Sequence, residues 1–303
     1  MDADEDLGSD LTEFCNGLVS SGSSRIPDEA NEPLQCVPFH GSPQDHRFLL
    51  KDTAAIITDL AKTPTIQKVA HPTLLHPDLH KRNILVSQED ATQITSIIDW
   101  QATSIEPAFV YAAETPDFAA RSLEDTDETP TEEALQKSIE TKAAKDRVLC
   151  SDTFEVCMKG YVPTLGAARS VDDTLLQPFR HCNTSWRNGI APGQQHNIEL
   201  SEKWVELGLP GSCPYRPSEQ EVSSHRERYQ DFETTQNLKL GLVRTLGTDS
   251  DGWVPAEDWD HIKSAHDDMF REWLDFSVSE MTAAKARYLW PFDPPDEKDN
   301  GRA

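Results

Sequence analysis

No C-x-x-C pair occurs in the sequence; Cys15, Cys36, Cys150, Cys157, Cys182 and Cys213 are scattered along the chain. Such spacing points to neither a zinc ribbon nor a disulfide framework, and it fits a reducing intracellular compartment. No stretch approaches the roughly 18 apolar residues of a membrane span, so a soluble protein without a transmembrane segment is expected. The start, Met1-Asp2-Ala3-Asp4-Glu5-Asp6, lacks the basic and apolar regions of a secretory signal. Its acidity is also opposite to that of a mitochondrial transit peptide. Basic residues are scarce, with 28 Lys and Arg against 53 Asp and Glu and a formal charge of −25. A surface of that sign repels phosphate backbones and anionic lipid, which argues against a nucleic-acid partner. Nothing in the pattern indicates an oligomeric state.

The 303 residues are enough to bury a sizeable core. Residues 1–46, rich in Ser, Gly, Pro and Asp, read as mostly irregular. From Phe48 to Leu60 the apolar residues Leu49, Leu50, Ile56, Ile57 and Leu60 share a helical face, which Pro64 ends. Two β-rich runs follow, Ile84-Leu85-Val86 and Ile94 to Ile98, and the polar stretch Ser87–Gln93 between them predicts a short antiparallel hairpin. Residues 121–147 read as a charged helical segment in which Leu135, Ile139 and Ala143 recur. Ser218 and Glu221 form a capping-box signature before a stripe of Val222, His225, Tyr229, Phe232, Leu240 and Val243. Pro255 opens a second stripe, Trp259, Ile262, His266, Met269, Trp273 and Phe276. One main domain over 47–280 and a polar tail over 281–303 are expected.

The chemistry concentrates in His76-Pro77-Asp78-Leu79-His80-Lys81-Arg82-Asn83 and Ile97-Ile98-Asp99-Trp100. Phosphoryl transfer needs a placed hydroxyl, a placed triphosphate and cations that absorb charge on the transferring oxygens. Asp78 is the candidate base. Asn83, five residues on, and Asp99, beyond the hairpin, offer the oxygen donors that a hard cation prefers. The hairpin folds those two metal-seeking side chains back toward each other. Alone, each of these residues reads as an ordinary loop or cap residue; it is the string and its spacing that point to a kinase-type loop.

These residues resemble the H-G-D-x-x-x-x-N and I-D-W/F signatures of the aminoglycoside phosphotransferase (choline-kinase-like) family. A narrower similarity, to the fungal phosphotransferases grouped with altered inheritance of mitochondria protein 9, is carried by Ile98-Asp99-Trp100-Gln101, Glu114-Thr115-Pro116-Asp117-Phe118, Pro178-Phe179, Ser185-Trp186 and Gly252-Trp253-Val254-Pro255. The similarity runs from about Leu74 to about Phe276 and covers the C-terminal lobe only. It implies an α+β, protein-kinase-like fold, mainly the helical lobe with a short hairpin. It also implies Mg²⁺ and ATP, transfer to a small-molecule hydroxyl, and, for the narrower group, a mitochondrial association. Asp78 would then be catalytic, Asn83 and Asp99 would hold metal, and His76 and His80 would support the loop.

The sequence departs from that pattern ahead of the motif. Before Asp78 there is no G-x-G-x-x-G, and the three lysines Lys51, Lys62 and Lys68 follow no strand-like run. The N-terminal lobe is therefore expected to be truncated or degenerate, and no nucleotide-binding residue is identified there. Lys81-Arg82 stand where many relatives carry Pro-Gly, a departure that either stiffens the loop differently or offers cations to a phosphate. Two alternatives remain: an inactive kinase-derived binding or scaffold module, and a zinc hydrolase using His76 and His80 with Asp78 or His71. Trp100, Trp186, Trp204 and Trp253 are expected to pack in the core.

Overall fold

The computed structural model describes residues 7–28, 39–76, 78–101, 103–120, 138–248, 252–277 and 279–294. The helices are α1 (Leu7–Ser24), α2 (Pro43–Leu60), α3 (Pro64–Gln67), α4 (Ser138–Tyr161), α5 (Pro163–Ala168), α6 (Asp173–Cys182), α7 (Ser185–Asn188), α8 (Ile190–Lys203), α9 (Glu219–Leu246), α10 (Trp259–Ser277) and α11 (Ala283–Leu289). The strands are β1 (Pro72–Leu74), β2 (Ile84–Val86), β3 (Ile94–Ile97) and β4 (Ile105–Pro107). Short strands among many helices are compatible with the expected α+β class. Among the described residues no helix is long and apolar enough to cross a membrane.

The chain divides into two compact units, Met1–Cys15 with Ile57–Arg180, and Asn16–Ile56 with His181–Ala303. In the first, Phe109 is the central side chain: its ring meets Phe14 at 6.1 Å and Phe179 at 4.8 Å. Backbone bonds from Ala108 N to His71 O (3.0 Å) and from Phe109 N to Val69 O (3.2 Å) set it against the lead-in to β1. The strands form two separate two-stranded antiparallel sheets, β1 with β4 and β2 with β3. Leu74 faces Ile105 in the first, and Ile84 faces Ile97 in the second. The predicted hairpin is thus present, with an irregular step between Leu85 and Val86.

In the second unit, α9 carries the predicted capping box: Glu221 N donates to Ser218 Oγ (3.2 Å) and Ser218 N to Glu221 Oε2 (2.7 Å). Leu242 and Leu246 of α9 join Phe270 of α10 and Trp290 in an apolar cluster. Burying one such side chain stabilises a fold by roughly 1.5–3 kcal/mol. Two polar bonds fix the packing: Trp273 Nε1 donates to Ala286 O (2.9 Å), and Thr235 Oγ1 to Leu289 O (3.0 Å).

Several expectations need correction. The irregular segment assigned to 1–46 carries α1, whose Leu11 and Cys15 are buried. Its Ser and Gly content hides this helix. At Gly22 an added Cβ would lie 2.3 Å from Cys182 O, so the missing side chain admits a close approach there. Helix α2 starts at Pro43, five residues before Phe48, because Ser42 and Asp45 cap one another: Ser42 N donates to Asp45 Oδ2 and Asp45 N to Ser42 Oγ. The tail assigned to 281–303 contains α11, with Ala286, Leu289 and Trp290 buried; residues 295–303 lie outside the described set. The buried face of α9 is offset from the expected stripe, running through Asp231, Thr235, Leu242 and Leu246 while Leu240 is exposed. Helix α10 begins at Trp259 rather than Pro255, and both Trp259 and Phe276 are exposed. Of the tryptophans expected inside, Trp204 is buried, whereas Trp253 and Trp100 are exposed. Pro77 and the whole 121–137 stretch of the charged segment, Leu135 included, fall outside the described residues, and the helix α4 takes up from Ser138.

Candidate functional site

The loop 76–83 and the hairpin that follows it lie within the first unit. A single turn of 3₁₀ helix over Lys81–Asn83 delivers Asn83 directly into β2. At the far end of the hairpin, Ile98 N donates to Asn83 O (3.0 Å), which extends the ladder one residue past the Ile84–Ile97 pair. Asp99 therefore follows immediately after the residue bonded to Asn83. Sequence spacing and strand register bring the two proposed oxygen donors to the same end of the hairpin.

Asp99 has a φ of 68°, the one positive value for a non-glycine among the described residues. Left-handed backbone costs an L-residue roughly 1–2 kcal/mol, less for Asp and Asn, whose short polar side chains bond locally. The Asp99 side chain is exposed and makes no hydrogen bond with a described residue. A strained backbone presenting an uncommitted carboxylate contributes nothing visible to folding, and is the kind of feature found at ligand sites.

Asp78 is surrounded. Its Oδ1 lies 2.6 Å from His80 Nε2, and its Oδ2 lies 3.2 Å from Arg82 Nη2 and 3.3 Å from Asn83 Nδ2. Asn83 Nδ2 also donates to Asp78 O (2.8 Å), so this buried amide braces the loop through its nitrogen and leaves its oxygen as an acceptor. His76, also buried, accepts from Asp78 N at Nδ1 (3.2 Å) and therefore donates from Nε2 to Ile98 O (2.8 Å). That imidazole ties the base loop to the strand leading into Asp99. Trp100 stands edge-on to His76 at 4.7 Å and donates from Nε1 to Ile97 O (2.8 Å). It covers the histidine from outside, which is why it is 47% exposed instead of sitting in the core.

One site residue was assigned no role in the sequence reading. Asp117, 39 residues beyond Asp78, receives His80 Nδ1 at Oδ2 (3.3 Å) and Lys81 N at Oδ1 (3.3 Å). Burial is the largest influence on its carboxyl and pushes its pKa up. Hydrogen bonds from His80 and from the Phe118 and Lys81 amides, together with the His80 charge, outweigh burial and hold it below the ordinary value. His80 is consequently clamped between two carboxylates. The only signal in the sequence was that Asp117 belongs to the string Glu114–Phe118; nothing local to it announces a partner so far upstream.

These bonds weigh against the zinc alternative. Both ring nitrogens of His76 and of His80 are engaged by protein groups. Among the described residues no group of three His, Cys, Asp or Glu side chains could hold a metal ion, whereas a zinc site needs at least three such ligands.

Both sheets of this unit expose apolar side chains. Leu85, Val86, Ile94 and Ile98 of the hairpin region, with Leu74 and Ile105 on the other sheet, are all exposed.

No curated protein and no solved structure matches the chain. One family model does, reaching further back than Leu74 and stopping well short of Phe276: residues 37–110, the stretch that holds His76, Asp78, His80, Asn83 and Asp99, match the phosphotransferase enzyme family.

Proposed function

We propose that the chain is a kinase-type phosphotransferase that uses ATP and Mg²⁺ to phosphorylate a small-molecule hydroxyl. The observation that carries this reading is the register of the hairpin, which joins Asn83 to Ile98 and so sets Asp99 beside the loop of Asp78. The family match over 37–110 supports it at the level of phosphotransfer. The narrower kinship with the fungal group rests on the strings quoted above, Glu114–Phe118 among them.

The donor set suits magnesium. Mg²⁺ keeps several waters and takes one or two protein oxygens together with substrate phosphates. The Asn83 amide oxygen and the Asp99 carboxylate are two such donors. When bound, the ion supplies positive charge to the phosphate oxygens. The remaining steps belong to the protein. Asp78 accepts the proton of the acceptor hydroxyl and aims its oxygen. His80, fixed by Asp117, holds Asp78 Oδ1 in position, while His76 and Asn83 keep the loop at a set distance from β3. The nucleotide finds less: among the described residues ahead of His76 there are three helices and one three-residue strand, with no phosphate-covering loop.

A second reading, an inactive kinase-derived binding module, draws on the apolar side chains exposed around the hairpin. The test that separates the two is ATP turnover by the wild type against Asp78→Asn, with circular dichroism confirming that the variant is folded. A wild type without turnover leaves the binding module as the better account.

A further inference from the structure

Arg82 is the arginine paired with the candidate base. Among the described residues its guanidinium makes one polar contact, Nη2 to Asp78 Oδ2 at 3.2 Å, and its side chain is 70% exposed. Lys81 precedes it, anchored to Asp117 through its backbone N, with its own side chain in solvent. In a chain of net charge −25, two adjacent cations on this loop stand out from the acidic background. Exposed ion pairs such as Arg82–Asp78 are among the weakest in proteins. The fork of a guanidinium fits a phosphate at least as well as a carboxylate, and a terminal phosphate offers more charge and three acceptor oxygens.

We propose that Arg82 is a phosphate-binding residue that exchanges Asp78 for the terminal phosphate of a nucleoside triphosphate, and so uncovers Asp78 Oδ2 for the acceptor hydroxyl. This rests on the phosphotransferase reading and deepens it. The loop is closed on itself at rest, with His80 on Asp78 Oδ1 and Arg82, beside the inner Asn83 amide, covering Oδ2 from the solvent side that a hydroxyl would approach. Arrival of the triphosphate draws away the weaker of these two contacts, the 3.2 Å one, and leaves the 2.6 Å His80 contact to hold the carboxylate in place. The exchange also supplies a cation to the transferring group, which a chain without a recognisable strand lysine otherwise lacks.

The experiment is calorimetric titration of the full chain with MgATP and with MgADP, for the wild type, Arg82→Gln, Asp78→Ala and the double variant. Being exposed, Arg82 can be replaced without disturbing the fold, which circular dichroism checks. The wild type should bind MgATP more tightly than MgADP, and Arg82→Gln should weaken MgATP by about tenfold or more while leaving MgADP nearly unchanged. Asp78→Ala should bind MgATP several-fold more tightly, because Arg82 no longer has a carboxylate to leave, and the added Arg82→Gln should cancel that gain. If Arg82→Gln keeps the wild-type preference for MgATP, the exchange is wrong and the phosphotransferase reading stands. If the wild type binds neither nucleotide, the phosphotransferase reading itself falls.

Discussion

The second unit carries two buried imidazoles whose titration should dominate its acid stability. His46 and His225 are almost fully inaccessible. Burial is the first cause that brings each from 6.5 down to about 4, aided at His46 by the neighbouring His40 and at His225 by Arg228. Each has a buried Nδ1 without a hydrogen-bond partner among the described residues, and the pull of Asp45 on His46 and of Glu199 on His225 does not offset burial. The direction follows from the lowered native values: the unfolded chain takes up protons first, from about pH 6.5 downward, so stability falls as the pH falls. The loss per histidine is about 2 kcal/mol between pH 8 and pH 5, reaching about 3 kcal/mol below pH 4. Urea titrations at pH 8, 6.5 and 5 would measure it, followed by tryptophan fluorescence; every tryptophan except Trp100 belongs to this unit. Glutamine at either position keeps a donor near the ring Nε2, which at His225 meets Gln195 Oε1 at 2.7 Å. His46→Gln and His225→Gln should each remove about 2 kcal/mol of the pH 8 to pH 5 difference. Carboxylates such as Asp52 titrate in wild type and variant alike and cancel in that comparison. Equal pH dependence in wild type and both variants would refute the reasoning.

Two further predictions follow from the loop and the helix caps. Asp99→Asn should leave the melting temperature unchanged, since the carboxylate bonds to no described residue and Asn tolerates a positive φ, while Mg²⁺-dependent stabilisation by ATP in a thermal-shift assay should disappear. Ser218→Ala removes the acceptor of Glu221 N in the capping box and should lower stability by about 1 kcal/mol in a denaturant titration, without affecting nucleotide binding.

How much of this was legible beforehand varies with the range of the interactions involved. The hairpin could be read because two apolar β-branched runs and a polar connection are local signals, and so could the capping box of α9. The face of α2 was legible too, from Leu49 to Leu60. Helix α1 was not, because its Ser-Gly composition argues against a helix, and the burial of Leu11 and Cys15 that sustains it is tertiary. Helix α11 was missed for a different reason: Ala283–Leu289 is rich in good helix formers behind the Thr282 cap, but seven residues are too few to show a periodic face, and the burial of Ala286 and Leu289 is tertiary. At the candidate site, the grouping of Asp78, Asn83 and Asp99 at one end of the hairpin could be read from spacing. The clamp of Asp117 on His80 depends on distant chain segments meeting in space, which no periodicity reports, and the closing of Arg82 over Asp78, four residues away, depends on the irregular path of the loop.

The central claim is that Asp78 serves phosphoryl transfer. Its most direct measurement is ADP release from ATP by the full chain, with and without Mg²⁺, in the wild type and in Asp78→Asn. The account predicts Mg²⁺-dependent turnover in the wild type and none in the folded variant. Equal turnover in both, or turnover indifferent to Mg²⁺, would contradict it.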